Sequence, residues 1–284
     1  MKKISLFFIL SILLALGCEE IPPVINPSMG GSDPNDPPTS VEEQKKQVLI
    51  EEFTGVRCVN CPAGSEAIEA LLSTHGEQLV AISIHAGSFS APYTESAEVF
   101  RIEDGINILN YVGEPLGYPT AVVDRKLFDG EFDLQLGRNQ WAGFVALQLA
   151  EAPKVKLEIQ KTFDVLTRNV AVSIKAYIEE TITDQDIRLS LALTESNIVD
   201  LQLTPASSTP DANYSHKHVL RDMISNYDGD PITEPFTEGT VITRNYNFTL
   251  NEDFVESNCK LIAFVHLNGE DKEVLQAHET GVMD

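Results

Sequence analysis

The chain opens on a nearly unbroken apolar run, Ile4 to Gly17, behind Lys2 and Lys3. At 14 residues the run is too short to span a bilayer and has the layout of a secretory signal, residues 1–17. Periodicity then disappears from Glu19 to about Lys46. That stretch holds six of the 15 prolines with Gly, Ser, Asp and Asn. It cannot bury enough apolar surface to fold, and residues 18–46 are predicted to form a disordered tether.

From Gln47 to about Ala152 strand and helix patterns alternate. Gln47 to Phe53 is strand-like. Pro62 to His75 carries Ala63, Ile68, Leu71 and Leu72 near helical spacing and stops at Gly76. Leu79 to His85 alternates Val80, Ile82 and Ile84 and predicts a second strand. Thr94 to Tyr111 is broadly helical, with Gly105 as an interruption. Thr120 to Asp124 predicts a third strand, and Asp129-Gly130 a turn into a fourth. Gln140 to Ala150 predicts a closing helix with Asn139 as its N-cap. The order β-α-β-α-β-β-α implies a central sheet covered by helices, an α/β domain over residues 47–152.

Beyond Pro153 the period changes to two. Val155, Leu157 and Ile159 alternate with polar residues, as do Val170 to Ile174, Leu189 to Leu193 and Leu261 to Val265. His218 to Ile224, Val241 to Leu250 and Glu273 to Ala277 complete about seven short strands. Residues 153–284 are therefore predicted to form an antiparallel β-sandwich.

The formal net charge is −23, a sign that argues against nucleic acid as a partner. Of four cysteines, Cys58 and Cys61 form a close pair, Cys18 ends the apolar run and Cys259 is left over. One close pair in an exported chain is not a disulfide framework, and the body is large enough to fold without staples. Cys58-Val59-Asn60-Cys61-Pro62 stands between a predicted strand and a predicted helix. A thiol at a helix N-terminus meets free N–H groups and the positive end of the macrodipole, which favour thiolate. Arg57 adds a neighbouring cation. Cys58 is thus the candidate attacking thiol, and Cys61 the resolving thiol that closes the disulfide. The competing reading is a static disulfide pinning the helix, but a loop this short gains little chain entropy from closure.

Two separated stretches carry a resemblance to the thioredoxin superfamily: Glu52 to Pro62, and Gly117-Tyr118-Pro119-Thr120 leading into Ala121 to Val123. The small residue before Cys18 resembles a bacterial lipoprotein signal, which implies cleavage before Cys18 and acylation of its thiol. The whole chain resembles the outer-membrane-protein-28-related lipoproteins of Gram-negative bacteria. The residues that carry this are the start of the chain, Glu51 to Gly55 running into the Cys58 motif, and Tyr214 to Arg221 in the β-rich half. The resemblance implies a lipid-anchored envelope protein with a thioredoxin-like domain followed by an immunoglobulin-like one.

The thioredoxin resemblance also implies site roles. Glu52 is expected to shuttle the proton for the second cysteine, although Glu51 beside it points to the opposite face and the pattern does not settle which is inward. Pro119 is expected to be cis and to face the dithiol, with Tyr118 and Arg57 contacting substrate. The site needs no cofactor beyond a redox-active Cys58–Cys61 disulfide, and no metal. Its implied partners are exported or envelope proteins, held through mixed disulfides, and the membrane through Cys18. Val59-Asn60 between the cysteines matches no familiar dipeptide, so oxidant, reductant and isomerase all remain open. A scaffold that binds or assembles without redox turnover is the alternative function. His85 near the active edge, and His216 with His218 on one face of a strand, are weighed as tuning or metal groups against ordinary structural histidines. Cys259 is expected to be a buried free thiol.

Overall fold

The computed structural model describes residues 41 and 44–283. The signal-like run and Cys18 lie outside the described residues. Ordered contacts start before the predicted domain edge at Gln47. Gln44 Nε2 donates to the Leu157 carbonyl at 2.9 Å, and Lys46 pairs with Asp124 at 2.9 Å with both side chains buried.

The body is mostly β. Strand β1 (Val48–Thr54) is buried along its length. Helix α1 (Cys61–His75) starts with Pro62 in its first turn, where no backbone N–H is needed, and ends at Gly76, with φ 55°. Strand β2 (Leu79–His85) runs parallel to β1, with Glu52 opposite Ser83 and Thr54 opposite His85. Helix α2 (Glu103–Val112) is shorter than the pattern predicted. The physical reason is tertiary: the amides of Ala97 and Glu98 donate to the Asp200 carboxylate, at 3.3 and 2.8 Å, instead of to helical carbonyls. Strand β3 (Thr120–Val123) is antiparallel to β1, and β4 (Leu136–Gly137) is antiparallel to β3. Helix α3 (Trp141–Leu149) takes Gln140 rather than Asn139 as its N-cap.

Ten strands follow. They are β5 (Val155–Asp164), β6 (Asn169–Ile178), β7 (Ile187–Glu195), β8 (Ile198–Gln202), β9 (Asp211–His216), β10 (Val219–Met223), β11 (Asp230–Pro231), β12 (Val241–Thr249), β13 (Cys259–Leu267) and β14 (Val274–Gly281). Seven match the periodic segments; β8, β9 and β11 do not alternate clearly enough to be seen in advance.

The change of periodicity near Pro153 is not a break in the sheet. One nine-stranded sheet runs β14-β13-β7-β10-β2-β1-β3-β4, with β11 on β7. Its two parts join where Val219 of β10 lies beside Ser83 of β2, and the Ser83 N–H donates to the His218 carbonyl at 2.7 Å. Residues 44–283 accordingly group within one compact unit. On one face, a core including Leu49, Phe53, Ile84, Leu109, Leu220 and Phe264 draws β1, β2, α2, β10 and β13 together across that seam. On the other face, α1 and α3 cover Val48, Ile50 and Ala81 with Ile68 and Trp141. A separate sheet β12-β6-β5 buries Leu157, Ile174 and Ile242 against Leu191 and Ala263. Burial of this apolar surface is the main force holding the layers together.

The two glutamates of β1 are resolved by these layers. Glu51 points to the α2 side, where Arg125 Nε and Nη2 each donate to it at 2.7 Å. Glu52 points under α1.

Candidate functional site

The Cys58–Cys61 pair is a disulfide, with Cα atoms 5.3 Å apart. Helix α1 begins at Cys61, so Cys58 sits in the tight turn just before the helix rather than in it, and Cys61 occupies the first helical position rather than lying a turn inside. The Cys58 amide donates to the Gly55 carbonyl at 3.0 Å. Cys58 is 3% and Cys61 1% exposed, while Val59 between them is 40% exposed.

Tyr118-Pro119 is a cis peptide bond. Pro119 packs onto α1 at Gly64: a β-carbon on Gly64 would lie 2.7 Å from Pro119 Cβ. Gly64 is absent from the sequence-derived site, and no local pattern marks it. Tyr118 reaches back to Gly87, where a β-carbon would come within 1.8 Å of its hydroxyl, and its ring meets Phe89 edge-on at 5.6 Å. Burial, reinforced by Glu114, pushes the Tyr118 hydroxyl up to about 12. A groove of about 460 Å³ runs beside Tyr118 and Pro119, between Leu116, Phe132, Glu131 and Gln140.

Glu52 is 1% exposed beneath α1. Ser83 Oγ donates to its Oε2 at 3.1 Å, while Oε1 has no aligned partner. Burial pushes its carboxyl up to about 8, opposed in part by the hydroxyls of Ser83 and Ser65. At neutral pH this group therefore holds its proton most of the time, next to the helix that carries Cys61.

Arg57 is turned away from a free approach. Its Nε donates to the Ala91 carbonyl at 2.8 Å and Nη2 to the Pro92 carbonyl at 2.7 Å, and the guanidinium lies 4.1 Å over the Tyr93 ring. It clasps the 91–93 loop beside the dithiol turn.

The far half of the chain also reaches the site, a feature invisible to local patterns. Gln202 Nε2 donates to the Cys58 carbonyl at 3.1 Å and to the Gly55 carbonyl at 3.4 Å. Leu203 N–H donates to the Val56 carbonyl at 2.8 Å. The β8–β9 hairpin thus holds the turn that presents Cys58.

The histidines are dispersed into separate environments. His85 and His216 both lie tilted against Phe100, with ring centroids at 4.8 and 4.6 Å, and 5.6 Å from each other. Burial lowers both, His216 to about 4, which keeps them neutral at pH 7. His218 lies outside β9 at φ 55° and meets Glu69 at 2.9 Å, so it does not share a strand face with His216. His266 bonds Ser190 and His278 bonds Gln47. Among the described residues no group of three metal-ligating side chains forms. Cys259 is a buried free thiol pushed up to about 12 by burial.

The chain matches a sequence family described as Outer membrane protein Omp28, over residues 110–283. The chain belongs to that family, which supports an address in the cell envelope. The matched region excludes Glu52 and the two cysteines and includes Tyr118, Pro119, Gln202 and Tyr214. No curated protein matches the sequence. Among solved structures, the chain is similar to HBP35 of Porphyromonas gingivalis at 20% identity and a TM-score of 0.67, over 84% of this chain and 76% of that one. It is also similar to a structural-genomics protein of Agrobacterium tumefaciens at 10% identity and a TM-score of 0.53, over 85% of this chain and 97% of that one. At these identities the likeness concerns the fold alone.

Proposed function

We propose that this protein is an envelope lipoprotein whose thioredoxin-like part, about residues 47–152, exchanges disulfides with exported proteins, next to an immunoglobulin-like sandwich. Cys18 is the lipidated residue that tethers it to the membrane. The observation that carries the reading is a buried carboxyl, Glu52, with its pKa raised to about 8 on the strand leading to the Cys58–Cys61 turn, while cis Pro119 packs against the same helix at Gly64. A static disulfide requires none of these three features together.

The chemistry is an exchange of sulfur partners. A partner thiolate attacks Cys58 Sγ, and the Cys58–Cys61 bond breaks. Cys61 sulfur leaves with the electron pair and takes the proton of Glu52. In the reverse sense Glu52 accepts the Cys61 proton, Cys61 attacks Cys58 Sγ, and the partner leaves as a thiolate. Tyr118 and Pro119 would line the approach of an extended partner segment. Arg57 acts by holding the 91–93 loop. No external cofactor enters these steps. The test is trapping: Cys61→Ser stalls the mixed disulfide on Cys58, and envelope proteins should be recovered in a reductant-sensitive adduct. Recovery equal to that from Cys58→Ser would overturn the reading.

One observation favours a second reading, a scaffold without turnover. Cys58 is only 3% exposed, and Gln202 holds its turn. On that reading Cys58→Ser leaves binding and cell phenotype unchanged.

A further inference from the structure

Glu52 borders no solvent-filled space, yet both of its hydroxyl neighbours do. A cavity of about 300 Å³ opens between α1 and the β9–β10 segment, lined by Ser65, Ser83, Tyr214, Ser215, Lys217 and His218 among others. Ser83 Oγ bonds Glu52 Oε2 at 3.1 Å. The Ser65 hydroxyl interacts with both Glu52 and Tyr214. Ser65 stands four residues after Cys61, on the same face of α1. Toward the cis-proline loop the carboxylate is closed off by the contact of Gly64 with Pro119.

We propose that this cavity is the proton route between Glu52 and bulk water, with Ser65 and Ser83 as the relay hydroxyls and Tyr214 as the residue that positions Ser65. The proposal rests on the thiol–disulfide reading above and supplies a step it lacks. A carboxyl sealed under a helix cannot exchange its proton with water directly, whereas a hydroxyl both donates and accepts. Each time Cys61 gives its proton to Glu52 and closes the disulfide, one proton must leave; each reopening must bring one back. The route also explains why the site spans the whole chain: Tyr214 comes from β9, far beyond the dithiol in sequence.

The charges around the route are few. From α1 they are Glu66 and Glu69; from the β9–β10 segment, Lys217 and His218. Lys217 pairs with Glu69 and matches its charge, whereas His218 meets Glu69 as a neutral imidazole, its pKa lowered by burial, with Lys260 of β13 and Glu279 of β14 acting on it from behind. From β2, His85 follows Ser83 on the same face and is held neutral by burial. On the β3 side Pro119 and Ala121 bring no charge, and Cys58 and Cys61 do not ionise while bonded.

Two kinds of variant of the full-length chain separate contact from route, the first read in the oxidised form and the second in the form with glutathione on Cys58 and Cys61 free. Ser65→Ala removes a neighbouring hydroxyl that favours the charged carboxylate. It should raise the Glu52 midpoint, followed by ¹³C NMR of its carboxyl, by roughly one pH unit, with Tyr214→Phe moving it the same way. Ser215→Trp crowds the cavity mouth while leaving the hydroxyls in place. It should leave the midpoint unmoved and slow resolution of a glutathione mixed disulfide on Cys58 about tenfold. A merely structural role for these residues would lower stability and move neither readout. Unmoved Glu52 titration in Ser65→Ala and Tyr214→Phe, or wild-type resolution in Ser215→Trp, overturns the route. If the wild-type chain resolves no mixed disulfide while the NMR midpoints move as expected, the exchange reading falls and the cavity stands as the path by which Glu52 titrates.

Discussion

Glu52 Oε1 lies only 2.4 Å from the place a β-carbon on Gly64 would occupy. The helix that begins at Cys61 can therefore sit over the carboxylate only because position 64 has no side chain. Gly64→Ala tests this directly. Helix propensity alone would favour Ala by about 1 kcal/mol. Overpacking against Glu52 and the Pro119 ring should outweigh it, for a net loss of roughly 1–2 kcal/mol in denaturant unfolding. A stabilised variant would mean that the carboxylate has room to move aside.

Glu52 also sets a pH dependence with a definite sign. Its folded value of about 8 lies above the ordinary value of 4.5, so the native state keeps a proton that the unfolded chain releases. The contribution is full below that ordinary value and is lost as pH rises through about 8. Glu52→Gln cannot lose a proton. Between pH 4 and 9 the wild type should weaken relative to the variant by on the order of 5 kcal/mol, measured by urea unfolding across that range. Parallel pH profiles for the two proteins would contradict the buried, protonated carboxyl.

Much of the dithiol half was legible in the sequence because its signals are local. Alternation in Leu79–His85, helical spacing after Pro62 and the Pro119-Thr120 strand entry all survive in β2, α1 and β3. What local patterns could not carry was contact across long separations. Residues 94–102 have helical composition, but the amides of Ala97 and Glu98 among them are taken by Asp200 from the other half. The choice between Glu51 and Glu52 depended on which layer covers each face of β1. Gln202 and Tyr214 carry no motif, and only the pairing of β10 with β2 brings their hairpin to the site.

Gln202→Ala examines that long-range tie. The variant removes the side-chain donor that Gln202 gives to the Cys58 and Gly55 carbonyls, which keep only the Cys61 and Cys58 amides, at a cost of about 1 kcal/mol. The turn should loosen, and dithiothreitol should reduce the Cys58–Cys61 bond several-fold faster than in the wild type under native conditions. An unchanged reduction rate would show that backbone bonds such as Leu203 to Val56 and Cys58 to Gly55 hold the turn without Gln202.

The Glu51–Arg125 pair is sealed in the core, at 1% and 0% exposure. Arg125→Met strands the Glu51 charge and should destabilise the body by about 3–5 kcal/mol in thermal or chemical unfolding. Adding Glu51→Gln should restore part of that loss, since the penalty comes chiefly from the unmatched charge. A double variant as unstable as the sum of the two single ones would place the effect in packing over Phe264 instead.

The seam at Ser83 has a consequence for how the chain can be divided. Cutting near residue 152 would remove β10 and with it the pairing of Val219 and His218 with Ser83, leaving β2 as an edge of the sheet. Such an edge, rich in apolar residues, is available to pair with another strand. A fragment holding the two cysteines would then be prone to self-association, and the strands after residue 153 serve it as a built-in guard against aggregation.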